Sequence, residues 1–99
     1  MILVLGTVRL APDKLEAARP AMRKMVEASR AEPGCIAYAY AQDVLDPETI
    51  HVVEKWRDRA ALKAHFATAH MAEWRGVMGG LGLSGRDLKV FETNEGTPI

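Results

Sequence analysis

The sequence of 99 residues lacks several features that mark particular classes of protein. Its only cysteine is Cys35, so neither an intrachain disulfide nor a cysteine-rich zinc site can form, which suits a reducing compartment. Basic and acidic residues balance at 13 each, so no charge excess favours a nucleic-acid or membrane partner. The apolar N-terminal run ends at Arg9, too early for a signal peptide or membrane span. We therefore expect a cytoplasmic protein.

The remaining composition is that of an ordinary globular protein. Apolar residues make up 48% of the chain and charged residues 26%. The length is close to the common size of one domain, and we expect a single domain over residues 1–99 with a C-terminal tail from about 94 to 99.

The hydrophobic period changes along the chain at residues typical of turns and helix caps. Alternating or β-branched stretches predict four strands, and three- and four-residue spacing predicts a first helix over about 13–31. Asp13 and Asp58 are the expected N-caps of the two helices, and Thr68 is expected to begin a further turn that ends near Met78. The predicted strands are Ile2 to Leu10, Cys35 to Gln42, Ile50 to Trp56 and Leu88 to Thr93.

This order predicts an α+β fold of the ferredoxin-like βαββαβ type, with a four-stranded antiparallel sheet and two helices on one face. Five glycines between Gly76 and Gly85 predict a loop before the last strand. The first strand is apolar on both faces, whereas the helices can cover only one. A second copy of the same sheet would cover the other face, so we expect a homodimer through the sheet faces. The alternative is a monomer with a less polar second face.

The most specific stretch runs from residue 32 to residue 74. It contains Glu-Pro-Gly-Cys at 32–35, Glu-Lys-Trp at 54–56 and Ala-Leu-Lys-Ala-His-Phe-Ala-Thr-Ala-His-Met at 61–71. This pattern resembles the antibiotic biosynthesis monooxygenase domain family, especially its small cofactor-independent quinol monooxygenases. The resemblance implies a dimeric α+β barrel with a pocket between sheet and helices in each subunit. It also implies that quinols or anthrones are oxygenated without flavin or metal.

Oxygenation without a cofactor requires a base that ionises a phenol inside an apolar pocket. His65 is the favoured base, because it shares a helix face with Leu62 and Phe66 and, by resemblance, points into the pocket. His70 is a second candidate for a catalytic role. Either histidine could instead be structural, with its ring packed on the sheet or bonded to loop backbone. His51 is expected at the surface or at an interface.

Aromatic side chains are the expected substrate-binding residues. Tyr38 could donate a hydrogen bond to a substrate oxygen, and packing between sheets explains it equally well. Glu54 lies on an otherwise apolar strand face and needs a partner, for which Arg9 or a histidine is expected. The remaining expected pocket walls are Trp56, Phe66 and Trp74.

Two departures from the family pattern narrow the chemistry. The anthrone-type oxygenases and the haem-degrading relatives use a pocket asparagine, but the only asparagine here is Asn94 near the C-terminus. Haem degraders also carry an axial histidine where this chain has Arg75, and a guanidinium cannot ligate iron. Haem degradation is therefore disfavoured. On one continuous helix, His65 and His70 would point about 140° apart, so we expect no metal site. The resemblance to the cofactor-independent oxygenases implies that no other cofactor is needed.

The leading interpretation is a cofactor-independent monooxygenase that oxidises a small aromatic quinol or polyketide-like phenol with dioxygen. One alternative is an isomerase that enolises a small carbonyl metabolite with the same histidines, and oxygen consumption would discriminate between the two. The other alternative is a ligand-binding or structural dimer without turnover, which a filled pocket would favour.

Overall fold

A computed structural model describes all residues from 1 to 99 and has the predicted element order. Four strands form one antiparallel sheet, and three α-helices follow the first and third strands. The elements are β1 (Ile2–Arg9), a 3-10 turn (Pro12–Lys14), α1 (Leu15–Arg30), β2 (Cys35–Gln42), β3 (Thr49–Trp56), α2 (Arg59–Phe66), α3 (Ala69–Val77) and β4 (Ser84–Glu92). The ferredoxin-like prediction is confirmed.

The sheet order is β2-β3-β1-β4, and its register sets up the inner face. Glu54 of β3 is paired with Tyr38 of β2 on one side and with Val4 of β1 on the other. Val4 is in turn paired with Val90 of β4. Because paired residues in a sheet point to the same face, these four side chains form one row beneath the helices.

The close approach of β1 and β4 depends on a glycine. A Cβ atom at Gly6 would lie 1.8 Å from the backbone oxygen of Asp87, so no side chain fits at that position. β4 begins at Ser84, four residues before the predicted start, and Arg9 pairs with Ser84 across an irregularity in the ladder. The last part of the glycine-rich stretch therefore belongs to the sheet.

The helices cover the inner face of the sheet. Met22 and Met25 of α1 are buried against it, as the three- and four-residue spacing predicted. Asp58 accepts a hydrogen bond from the backbone N–H of Ala61 at 2.8 Å, which confirms the predicted cap of α2. The predicted cap at Asp13 is wrong, because this residue lies inside the 3-10 turn that leads into α1 and its side chain caps neither element.

The outer face of the sheet carries no helix. Leu5 of β1 is paired with Val53 of β3, and Ala39 of β2 with the same Val53. Leu5 remains 37% exposed and Phe91 of β4 remains 45% exposed. An apolar sheet face is thus open on the single chain. None of the helices combines the length and the apolar character that crossing a membrane requires.

Candidate active site

A break between α2 and α3 sets the directions of the two candidate histidines. α2 ends at Phe66 and α3 begins at Ala69, with Thr68 between them. The Thr68 hydroxyl accepts from the backbone N–H of Met71 at 3.2 Å and donates to the carbonyl oxygen of His65 at 2.7 Å. Thr68 therefore ends one helix and caps the next, as an N-cap threonine does. The predicted helix start at this residue is confirmed.

The break brings His65 and His70 to one carboxylate. Oε2 of Glu32 lies 2.6 Å from Nδ1 of His65 and 2.8 Å from Nε2 of His70. The His65 side chain is 1% exposed, that of Glu32 10% and that of His70 19%. Charge-assisted hydrogen bonds in such a buried place are short and hold the rings in fixed orientations.

The expectation that the two histidines diverge is wrong for a physical reason. It assumed one continuous helix, in which positions five apart point in different directions. The turn at Ala67 and Thr68 reorients the chain, so both rings face Glu32. Glu32 lies just after the end of α1, and its role was missed. The only feature of the sequence that pointed to Glu32 was its place in the Glu-Pro-Gly turn. Its contacts with the two histidines could not be predicted, because they join residues more than 30 positions apart.

The contact with Glu32 assigns the tautomer of His65. A carboxylate oxygen accepts, so the Nδ1 that contacts it is the protonated nitrogen of the neutral ring. Nε2 then carries the free lone pair, and it forms no hydrogen bond within the protein. Packing fixes the ring further, since its centroid lies 4.6 Å from that of Trp56 and 5.5 Å from that of Tyr38. A carboxylate that is hydrogen-bonded to one imidazole nitrogen fixes the ring and so fixes the direction of the other nitrogen, here Nε2.

An apolar cavity of about 130 Å³ lies between the sheet and the helices, and His65 forms part of its wall. A cavity of roughly 150 Å³ accommodates a benzene ring, so this one has the size of a single aromatic ring. Of the predicted substrate-binding residues, Tyr38, Phe66 and Trp74 line it. Trp56 and His70 do not. Other apolar walls are Val4, Val8, Met22, Val52, Met71, Met78, Leu83, Leu88 and Val90.

Trp56 lies behind the cavity wall. It is fully buried, and its ring packs at a tilt against that of His65. Its Nε1 donates to Oε1 of Glu54 at 3.0 Å. Glu54 lines the cavity and is 7% exposed. Burial raises the pKa of Glu54 above its ordinary value, although the Trp56 hydrogen bond opposes this. The expected partner Arg9 is wrong, because its guanidinium binds Asp46 at 2.9 Å and Glu48 at 2.7 Å instead.

Two tyrosines supply hydroxyl groups at the cavity. The hydroxyls of Tyr38 and Tyr40 lie 3.0 Å apart, and both residues line the cavity. Burial raises the pKa of Tyr40 to about 12 and raises the pKa of Tyr38 as well. Both phenols therefore remain protonated near neutral pH and are hydrogen-bond donors.

Two arginines are the cations of the cavity. Arg75 donates to the carbonyl oxygen of Phe66 at 3.1 Å, and Arg86 has no hydrogen-bonded partner. Neither forms an ion pair with a carboxylate. The cavity thus combines apolar walls, one oriented imidazole, one buried carboxyl, two phenols and two guanidinium groups.

Comparisons with known proteins agree with this architecture. A model of the antibiotic biosynthesis monooxygenase family matches residues 1–77. Protein sll1783 of Synechocystis sp. is 33% identical over 94 residues, which are 95% of this chain but only 64% of that protein. YcnE of Bacillus subtilis, whose name describes it as a monooxygenase, is 36% identical over 70 residues, which are 71% of this chain and 74% of YcnE.

The fold also matches solved structures. A crystal structure from Deinococcus radiodurans, named for the same family, superposes with a TM-score of 0.90 at 21% identity, covering 100% of this chain and 98% of its own. This match concerns the fold, whereas the family model covers more than half of the sequence. The chain belongs to the antibiotic biosynthesis monooxygenase family, and the family resemblance found in the sequence is confirmed.

Proposed function

We propose that this chain is a cofactor-independent monooxygenase that oxidises a small aromatic quinol or phenol with dioxygen. The observation that carries the proposal is the orientation of His65, which Glu32 holds at 2.6 Å in the wall of an apolar cavity. Membership of the family and the monooxygenase name of YcnE support the general reaction class. The size of the cavity supports a substrate with one aromatic ring.

The first step is removal of a phenolic proton. Nε2 of His65 accepts it, and the resulting imidazolium is stabilised by the Glu32 carboxylate at Nδ1. The substrate anion then stands among apolar side chains, where no solvation shell stabilises it and its ring carbon is more reactive toward dioxygen. Glu32 is a positioning residue in this scheme, since it acts through His65.

The reaction balances without an external reductant. A hydroquinone and one dioxygen give a hydroxyquinone and one water, so the substrate supplies all four electrons that reduce the dioxygen. One oxygen atom forms a new bond to the ring carbon. The O–O bond then breaks, and the other oxygen atom leaves as water with two protons from the substrate.

The remaining polar groups of the cavity fit the oxygen atoms of such a substrate. One of the Tyr38 and Tyr40 hydroxyls donates to the other, so the pair has one free proton to donate to a phenolate or to the peroxide that forms from it. Arg86, which has no carboxylate partner, adds positive charge on the β4 side of the cavity. His70 does not line the cavity, so its role is to hold Glu32.

We also propose that two chains associate through the outer sheet faces. Leu5 and Phe91 are the large exposed side chains on this face, and Val53 and Ala39 lie beside Leu5. Lys55 and Lys89 flank these apolar side chains, and an apolar strip on a sheet face that no helix covers favours association. A second copy offers a surface of the same shape and chemistry.

Oxygen uptake by metal-free protein tests the reaction. Wild type and His65→Gln are compared on a panel of hydroquinones and naphthohydroquinones, with spontaneous autoxidation subtracted. Wild type should consume oxygen catalytically, and His65→Gln should be at least about tenfold slower, at the low end of what a general base contributes. His51→Gln is the matched control, because His51 also contacts a carboxylate, Asp43 at 2.6 Å, but lies away from the cavity.

The alternative reaction has its own readout. An isomerase that enolises a carbonyl compound would exchange a carbon-bound proton with deuterated water and consume no oxygen. Proton exchange without oxygen uptake would therefore replace the monooxygenase proposal with this one. Equal oxygen uptake by wild type and His65→Gln would contradict the role of His65.

A further inference from the structure

Glu32, His65 and His70 form a donor cluster that the proposed reaction uses only in part. Oε2 of Glu32, Nδ1 of His65 and Nε2 of His70 are converging atoms, and the possible ligand atoms of the three residues lie within 4.8 Å of one another. We propose that these three side chains bind one divalent transition-metal ion of the Zn²⁺ or Fe²⁺ class.

The donor set determines the class of ion. Two imidazoles and one carboxylate are the ligands that zinc, iron, cobalt and nickel take in proteins. Mg²⁺ and Ca²⁺ require mainly oxygen ligands, and this cluster offers one carboxylate. Three protein ligands also leave at least one coordination position for water.

The cluster must open by less than the length of one bond to hold an ion. Two ligands that are each about 2.0 to 2.2 Å from one tetrahedral ion lie roughly 3.3 to 3.6 Å apart. The present separations from Oε2 of Glu32 are 2.6 Å and 2.8 Å, so the carboxylate oxygen must move away from the two rings by roughly 0.5 to 1 Å. All the possible ligand atoms already lie within 4.8 Å of one another, which side-chain rotation can convert into ligand spacing. Oε1 of Glu32 has no partner in the protein and provides a second way to reach the ion.

The position of the cluster combines rigidity with access. Its three donors come from the turn that follows α1, the last turn of α2 and the first turn of α3, so three separate segments position them. His65 is 1% exposed, whereas His70 is 19% exposed and lines a small cleft between α1 and α3 beside Glu73. An ion can therefore reach the donors from the His70 side.

Metal binding has a consequence for the proposed reaction, and this consequence rests on the proposed function. When an ion occupies Nδ1 of neutral His65, the ring proton must lie on Nε2. Nε2 is the nitrogen that accepts the substrate proton in the proposed mechanism. The bound ion and the base therefore exclude each other, and Zn²⁺ should inhibit oxygen uptake.

Calorimetric titration of metal-stripped protein with Zn²⁺ at neutral pH tests the site without any turnover. Wild type should bind one ion per chain. Glu32→Gln and His70→Gln should each weaken binding at least about tenfold, as losing a ligand costs no less than losing a supporting group. His51→Gln should bind like wild type, although His51 and Asp43 are also a histidine–carboxylate pair at 2.6 Å, because that pair has only two donors.

A measurement on wild type alone guards against variants that fail to fold. Co²⁺ should bind at one equivalent and give visible absorption bands typical of nitrogen and oxygen ligands, and one equivalent of Zn²⁺ should remove them. No saturable binding, or equal binding by wild type and Glu32→Gln, would overturn the metal site. Binding without inhibition would overturn only the consequence drawn for His65.

Discussion

At the scale of single residues, the carboxylate of Glu32 decides what the two histidines can do. It receives one hydrogen bond from each ring at 2.6 Å and 2.8 Å, and it is the only acidic group in this cluster. Without it, the His65 ring could carry its proton on either nitrogen, and the imidazolium that forms when Nε2 accepts a proton would lose its negative partner.

Glu32→Gln therefore tests whether Glu32 orients the His65 ring without taking part in substrate binding. We expect kcat for oxygen uptake to fall at least about tenfold, with little change in KM, because Glu32 does not line the cavity. Glu27→Gln on the exposed part of α1 is the matched control and should keep wild-type kinetics. A KM effect with unchanged kcat would contradict the positioning role.

Glu54 is the residue whose burial costs stability. Burial raises the pKa of Glu54 in the folded protein, so the folded state favours the protonated carboxyl. The stability that this protonation gives is fully present at acid pH and is lost as the pH rises through the folded pKa, because a buried charge then forms. Glu54→Gln should therefore raise the midpoint of thermal unfolding at neutral pH, and the difference from wild type should shrink at acid pH. Thermal scans at several pH values measure this. A variant less stable than wild type at neutral pH would show that the Glu54 charge is stabilising.

At the scale of elements, the cap at Thr68 holds the site together. Its hydroxyl bonds both Met71 in α3 and the carbonyl of His65 in α2. Thr68→Ala should cost about 1 kcal/mol of unfolding free energy, which lowers the midpoint by roughly 4 to 8 °C in a domain of this size. Thr68→Ser keeps the hydroxyl and should remain close to wild type. Equal losses in both variants would assign the effect to the methyl group instead.

The bounds of the helices and strands show which structural features could be predicted from the sequence. Alternation predicted β2 with its observed bounds, and the side chains of Asp58 and Thr68 predicted two helix starts, because both signals are local. The start of β4 was not predictable, since Ser84 and Gly85, in a stretch typical of a loop, become strand where Ser84 pairs with Arg9. The Glu32 contacts were missed for the same reason. They depend on how α1, α2 and α3 pack together.

At the scale of the whole molecule, the sheet divides the protein into a cavity side and an open side. The cavity side contains the row from Tyr38 through Glu54 and Val4 to Val90. The open side presents Leu5 and Phe91. This division leaves the open side available for the proposed association of two chains, while the other side holds the proposed substrate cavity.

Leu5→Arg tests the association. Wild type should sediment with twice the 10.9 kDa mass of one chain, and Leu5→Arg should sediment as a single chain, because a buried unpaired charge opposes apolar contact. Leu45→Arg is the control, since Leu45 is 92% exposed in the loop between β2 and β3. A Leu5→Arg variant that remains a dimer would place the interface elsewhere.

The central claim, that His65 drives insertion of an atom from dioxygen into a phenolic ring, is tested most directly by isotope labelling. Metal-free wild type and His65→Gln are each supplied with ¹⁸O₂ and a hydroquinone that wild type turns over. Mass spectrometry then measures the ¹⁸O content of the product and the rate at which each protein forms it. We predict one ¹⁸O atom per hydroxyquinone formed by wild type, at a rate at least about tenfold above His65→Gln. Unlabelled product in ordinary water, or equal labelling rates in the two proteins, would contradict the account.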